Sequence, residues 1–307
     1  MFIKLGRKYT LNLDYLKSFY WAAKSNSIST ASEILYISQP GLSMQIKNLE
    51  AELGCALLNR SNKGVLLTSA GEIVFDYAKS IFALEENMLT SIKDLENKKN
   101  ILSIASCKNF GSYYLASQLK NFKDLFSSVD ITIDLFNTNE VIEKVLNYDF
   151  NIGIILGSSH QDHLEEIEFF NDRFVFFTHI SCPYDTLDIV DLPKIPISLR
   201  DKQSTTYSIL QTFAENNGIN INDFNVLLSS NCIEIVKAAV LSGCSLSFLP
   251  QSCIQFELDH NLLKEVHLTN CKTELNLQYH YSFIKRKQYE LNLYEKSFRD
   301  FLLSLQK

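Results

Sequence analysis

No stretch of this 307-residue chain approaches the roughly 20 consecutive apolar residues that a membrane-spanning helix needs. The opening residues, Met-Phe-Ile-Lys-Leu-Gly-Arg-Lys-Tyr, lack the apolar core of a secretory leader, so a soluble, cytoplasmic protein with no membrane partner is expected. The cysteines Cys55, Cys107, Cys182, Cys232, Cys244, Cys253 and Cys271 are scattered and nowhere form Cys-x-x-Cys, which argues against a disulfide or zinc framework. Enzyme signatures are missing too: there is no Gly-x-Ser-x-Gly elbow, no phosphate-loop lysine motif and no metal-spaced His/Asp/Glu cluster. The densest titratable group, His160, Asp162, His163 and Glu165, falls in an expected connection and reads as solvated loop. Neither an enzyme nor a metal or other cofactor is therefore expected. A net charge of −6 excludes a uniformly basic nucleic-acid binder.

The charge is unevenly spread. Residues 1–68 hold eight Lys/Arg and four Asp/Glu, a net of +4, which leaves −10 for the remainder. A basic head on an acidic body suits a chain whose first part meets phosphates. Within that head, Asn12 can cap a helix running to about Lys24, with Leu13, Leu16, Tyr20 and Ala23 on one face. Ser29 or Thr30 can cap a second, short helix, Thr30 and Glu33 having capping-box spacing and Ala31, Ile34 and Leu35 its buried face. Ser38 can cap a third helix that tolerates Pro40 in its first turn. There Leu42, Ile46, Leu49 and Leu53 form one stripe, and Pro40, Ser43, Met44, Lys47 and Asn48 face the other way. Two helices joined so tightly form a helix-turn-helix, whose second helix enters a DNA major groove. Two short strands around 61–64 then form a wing, with Arg60 and Lys63 placed to meet a sugar-phosphate backbone.

The segments Ser29 to Leu35, Ser38-Gln39-Pro40-Gly41-Leu42-Ser43, Ile46 to Glu50, Leu53-Gly54, Asn59-Arg60 and Leu67-Thr68-Ser69-Ala70-Gly71 closely resemble the head of LysR-type transcriptional regulators. The resemblance implies that Gln39, Pro40, Ser43 and Arg60 touch DNA; Thr30, Ser38, Met44, Lys47 and Lys63 complete the expected surface. Met44 stands where the family often has a base-contacting arginine, and a methionine offers only apolar contact, for example to a thymine methyl.

From Ser69, paired with Glu72 at capping-box spacing, a helical run continues to Lys93 or beyond. Ile73, Tyr77, Ile81, Leu84, Met88, Ile92 and Leu95 form a seam that reads as a coiled-coil dimerisation helix, the alternative being a helix packed on its own domain. From Ile101 onward, strands at 101–106, 129–135 and 150–156 alternate with helices at 114–126 and 140–146, the pattern of parallel βαβ units. A second set follows at 174–178, 204–216, 226–228, 232–241 and 246–249, with a strand at 275–284 and a closing helix at 291–305. Ligands of such sheets sit beyond the carboxyl ends of strands and at helix N-termini. Three places qualify: Ser106-Cys107-Lys108, Asn137-Thr138 and Ser204-Thr205-Thr206, whose hydroxyls and free N–H groups suit a small anion.

Arg200 to Thr206, Ser229 to Gly243 and Phe248-Leu249-Pro250 are similar, more loosely, to landmarks of LysR-type sensors. The fold expected is α/β: an N-terminal winged helix-turn-helix (1–68), a linker helix (69–98) and a two-subdomain Rossmann-like effector domain (99–307) like periplasmic solute-binding proteins. Its subdomains are expected at 99–160 with 266–307 and at 161–265, with crossovers near Ser159 and Glu265. The resemblance implies double-stranded promoter DNA, a second and possibly a fourth copy of the chain, a small effector and RNA polymerase as partners. Gln203 and Thr205 replace glycines of the family pattern, and Lys108 stands where a small or hydroxyl residue is common, so the ligand site is expected to be narrowed or to prefer a different charge. Two other readings stand beside this one. The chain is a solute-binding or enzymatic α/β protein whose helical head docks a partner, or a redox sensor using Cys107.

Overall fold

The structure, a computed structural model of the chain, describes residues 11–61, 64–97, 100–243, 245–272 and 278–305, without the side chains at 60, 61, 91 and 94–97. It divides into two compact units, Met1–Lys93 and Asp94–Lys307.

In the first unit, α1 (Leu13–Lys24) is capped by Asn12, whose side chain accepts the N–H groups of Asp14 and Tyr15. Its buried face is Leu16, Ser18, Phe19, Ala22 and Ala23; Leu13, expected inside, is half exposed. Helix α2 (Ile28–Ile34) begins earlier than expected. The cap is Ser27, whose hydroxyl accepts the Thr30 N–H, because Asn26 at φ 52° turns the chain just before it. Ala31 is buried but Ile34 is exposed, so this helix buries less than its pattern promised. Helix α3 (Gln39–Leu53) is capped by Ser38 and stopped by Gly54 at φ 74°, as the sequence indicates. Leu42, Ile46 and Leu49 are fully buried beside Phe19 and Leu57, each such side chain contributing about 1.5–3 kcal/mol.

Strands β1 (Leu58–Ser61) and β2 (Gly64–Leu67) pair antiparallel to form the wing. Helix α4 (Ser69–Asn97) follows, and its cap is Thr68 rather than Ser69: the Thr68 hydroxyl accepts the Gly71 N–H at 3.0 Å. Ala70, Val74, Phe75, Ala78, Ile81 and Phe82 pack on the head core. Ile81 therefore leaves the expected seam, whereas Ile73, Tyr77, Leu84, Met88 and Ile92 remain exposed together with Leu89. The Leu95 side chain lies outside the described residues.

The second unit is built on one ten-stranded sheet. Its first half contains β3 (Asn100–Cys107), β4 (Val129–Phe136) and β5 (Ile152–Leu156), with β3 parallel to both neighbours. A π-helical turn, Phe110–Leu115, leads into α5 (Ala116–Leu125), so the helix expected at 114 starts a full turn earlier. Helix α6 (Thr138–Leu146) joins β4 to β5. Strand β6 (Leu164–His179) is far longer than the expected 174–178: it pairs with the returning strand over 164–173 and with the second half from 174 onward. The passage between halves thus occurs inside one strand.

The second half adds β7 (Thr186–Asp188), β8 (Ile197–Arg200), α7 (Thr205–Asn216), β9 (Val226–Ser230), α8 (Ile233–Leu241), β10 (Leu246–Pro250), α9 (Gln255–Asp259) and β11 (Leu263–Thr269). Strand β8 runs parallel to β9 and β10. Strand β12 (Gln278–Arg286) returns to the first half and α10 (Leu293–Ser304), capped by Asn292, closes the chain. Of the expected strand at 275–284, residues 275–277 lie outside the described ones. The sheet order β4-β3-β5-β12-β6-β10-β8-β9 leaves β4 and β9 at opposite edges.

Candidate functional sites

The outward side of α3 follows from its anchoring. With Leu42, Ile46 and Leu49 held inside, Ser38, Gln39, Pro40, Met44, Lys47 and Asn48 are exposed and Ser43 is half-buried. Lys47 has no ion-pair partner among the described residues, whereas Lys17 and Lys24 lie over the Phe82 and Trp21 rings. Thr30, also exposed, donates to Ser27 at the start of α2, and the Gln39 amide donates to Ser29, tying α3 to α2 across the turn between them. One exposed residue escaped the sequence pattern: Tyr36, at φ 55° in that turn, shows 96% of its surface. Asparagine or glycine would have signalled such a left-handed position, and tyrosine does not. The backbone of Arg60 pairs with Val65 on the wing; its side chain, and Lys63 altogether, lie outside the described residues.

In the second unit the structure gathers Cys107, Lys108, Asn137, Thr138, Ser204, Thr205 and Thr206 around one cleft between the two halves of the sheet. Ser106 is not among them. It alternates with Cys107 along β3, is fully buried, and its hydroxyl donates to the Cys107 carbonyl beneath Gly111. The cleft is nearly shut: its inner part encloses about 20 Å³, while its mouth, lined by Lys108, Asn137, Gln203 and Asn231 among others, encloses about 440 Å³.

Residues that sequence reasoning left out hold it shut. Arg200, 2% exposed at the end of β8, donates to the Asn109 carbonyl oxygen of its side chain and to the backbone carbonyls of Ser230 and Asn231, each at 3.3 Å. The Asn109 amide donates in turn to the Thr206 hydroxyl at 3.2 Å, and Lys108 reaches the Asn231 carbonyl at 3.3 Å. Ser204 caps α7 by accepting the Tyr207 N–H, and Thr138 accepts the Leu156 N–H. A buried guanidinium, an ammonium and the starts of α6 and α7 therefore converge on one small space. That arrangement stabilises negative charge.

Cys107 lies in the cleft wall, 4% exposed, and burial pushes its thiol up to about 12. A protonated, inaccessible sulfur does not suit the redox reading. Alkylation of the native protein at pH 8 should modify exposed Cys55 and spare Cys107 and Cys253 until the chain unfolds; mass mapping of the labelled peptides checks this. Because the folded state keeps a proton that the unfolded state releases near 9, the contribution of Cys107 to stability is complete below about pH 9. It is lost as pH rises toward 12. Among the described residues no group of three His, Cys, Asp or Glu side chains could hold a metal ion, and no helix is long and apolar enough to cross a membrane.

A winged helix-turn-helix followed along the chain by a two-halved α/β domain with a polar cleft defines a DNA-binding regulator joined to a ligand sensor. Residues 13–72 match the family of bacterial regulatory helix-turn-helix proteins of the lysR family, and residues 96–307 match the LysR substrate binding domain. The chain belongs to the LysR family of transcriptional regulators. Among its relatives is the HTH-type transcriptional regulator CysL of Bacillus subtilis (strain 168), 30% identical over 298 residues, covering 94% of this chain and 99% of CysL. Full-length CbnR complexed with its target DNA has the same fold, with a TM-score of 0.62 at 18% identity over 95% of this chain and 97% of that one. The regulatory domain of Synechocystis PCC6803 CcmR in complex with 2-PG gives 0.60 at 16% identity, covering 68% of this chain and 98% of that domain.

Proposed function

We propose that this regulator reads promoter DNA with the exposed side of α3 and is switched by a small anion bound between the halves of its sensor. In this reading residues 1–68 are the DNA-binding head, 69–98 the dimerisation stem and 99–307 the sensor. Gln39, Pro40, Ser43, Met44 and Lys47 enter the major groove; Thr30, Ser38 and Tyr36 approach its edge, and Arg60 and Lys63 meet the backbone from the wing. The exposed seam Ile73, Tyr77, Leu84, Met88 and Ile92 supplies the partner helix contact of a homodimer, which can associate further into a tetramer. Two heads on one stem raise each other's local concentration at a two-fold operator. RNA polymerase is the downstream partner, the site of action is the cytoplasm, and no catalysis is involved.

The observation that carries the anion is Arg200, a buried cation whose donors rest on neutral carbonyls at 3.3 Å and whose one carboxylate, Asp201, stands 3.5 Å away. A bound anion offers better acceptors, loosens the Asn109–Arg200–Asn231 tie and so has unequal affinity for the shut and open sensor, the condition for switching. CcmR in complex with 2-PG supports a small ligand in this fold. The test is DNase footprinting of the full-length protein on its own upstream region, with and without sulfate, phosphate and small carboxylates. Protection whose extent changes with one of these anions is expected; protection of no segment would refute the reading. Lys47→Ala should weaken binding about equally for all DNA sequences and reduce the slope of log affinity against log salt by about 1.

A further inference from the structure

The cleft has a second fastening that is not part of its lining. At the cleft itself, Lys108 and Arg200 donate to the Asn231 carbonyl and Arg200 to the Asn109 side chain, each at 3.3 Å. One turn beyond Asn109, Tyr113 on the π-helical turn donates its hydroxyl to Glu234 Oε1 at 3.0 Å. Glu234 stands in the first turn of α8, just beyond Asn231. Two short segments, 108–113 from the first half of the sheet and 231–234 from the second, are thus pinned to each other at both ends. Neither Tyr113 nor Glu234 lines either part of the cleft.

This second pin is a hydrogen bond to a charged acceptor. Burial, and then the bond to Glu234, push the Tyr113 phenol up, so it keeps its proton and stays a donor. Cys232 Sγ donates to Glu234 Oε2 at 3.1 Å, which holds the other side of the carboxylate. Lys237, one turn on along the same side of α8, stands 4.6 Å from the centre of the Tyr113 ring and is itself anchored on Glu257 at 2.5 Å and on the Cys253 carbonyl at 2.9 Å. One side chain of the first half therefore engages a carboxylate and an ammonium of the second. The inner part of the cleft encloses about 20 Å³, room for roughly one water molecule, so an anion of several atoms reaches Arg200 only if the walls separate.

We infer that Tyr113, acting through Glu234, sets how tightly the cleft takes its anion, by holding the two halves in the shut arrangement against the widening that the ligand requires. The inference rests on the anion reading of the cleft given above. Tyr113 is a positioning residue, since it touches no ligand. An anion supplies acceptors that replace the contacts of Lys108 and Arg200, but it offers nothing in place of the bond between Tyr113 and Glu234, so the strength of that bond is subtracted from binding. The same bond thereby fixes the anion concentration at which the sensor responds.

Calorimetric titration of the full-length protein with phosphate, sulfate and acetate in turn, beside its melting point without them, tests this. Tyr113→Phe keeps the ring near Lys237 and loses only the hydroxyl; Glu234 is exposed, so Glu234→Ala spares the core. Each variant should take the anion roughly fivefold more tightly than the native chain, and the double variant should be no tighter than either alone, because all three lack the same bond. Tyr114→Phe removes a hydroxyl with no hydrogen-bond partner among the described residues and should leave the affinity unchanged. A tyrosine that only supports the fold would lower the melting point in Tyr113→Phe and leave anion affinity equal or weaker; that result overturns the inference and leaves the anion cleft standing. If none of the three anions binds either the native chain or Tyr113→Phe, the anion reading falls and this inference with it.

Discussion

Gly71→Ala should lower the melting point of the head by roughly 10 °C while sparing the sensor. A Cβ at position 71 would stand 2.1 Å from the Leu57 backbone oxygen, 3.1 Å from its carbonyl carbon and 3.2 Å from Leu67 Cδ2. A backbone carbonyl at the start of the wing cannot swing aside like a side-chain tip. The first turn of α4 must move, or the segment 56–58 must, and that segment is fixed by the Glu50 carboxylate accepting the Leu57 and Leu58 N–H groups. Overpacking of this kind costs about 1–3 kcal/mol, and a head of this size loses roughly 4–8 °C per kcal/mol. Alanine regains about 1 kcal/mol of helix propensity over glycine, which offsets only part of the clash because the contact is with main chain. The only tryptophan, Trp21, sits in α1, so its fluorescence reports the head alone. An unshifted transition would show that the close approach of Gly71 to Leu57 is not needed.

Arg200→Met should have the largest effect on the sensor: a lower melting point, by roughly 6–12 °C, and no thermal shift with sulfate or phosphate. Methionine fills much of the volume but donates nothing. It strands the Asn109 side-chain oxygen and leaves Asp201 Oδ2, buried and without a hydrogen bond, lacking its nearby cation, while the Ser230 and Asn231 carbonyls keep the Asp201 N–H and Lys108 as donors. Unsatisfied buried polar groups cost about 1–3 kcal/mol each, and partial access of water to Asp201 brings the expected sum to about 3 kcal/mol. At 2–4 °C per kcal/mol for a domain of about 200 residues, this gives the stated shift. Scanning calorimetry with and without 10 mM-scale (roughly) phosphate reads both effects. A variant that keeps its response to anions would remove Arg200 from the binding site.

The physical division between what was legible early and what was not follows the range of the interactions. Ser38 and Ser204 cap helices through bonds to N–H groups three residues on, and the Leu42, Ile46, Leu49 stripe repeats within one helix. Spacing therefore placed the outward side of α3, while the ends of expected strands, the starts of expected helices and the family resemblance pointed to most of the cleft residues. Where two hydroxyls competed for one cap, spacing chose wrongly: Ser27 and Thr68 won because a left-handed Asn26 and the wing's return positioned them.

The sequence by itself determined that a basic helix-turn-helix head precedes an α/β sensor with helix starts aimed at one place, because capping and periodicity are encoded within a few residues. Only the tertiary structure decided that Ser106 points away from that place, that β6 belongs to both halves, and that Arg200 and Asn109, 91 residues apart, close the cleft. Contacts of this length depend on how strands order themselves in the sheet, and no local pattern carries that information.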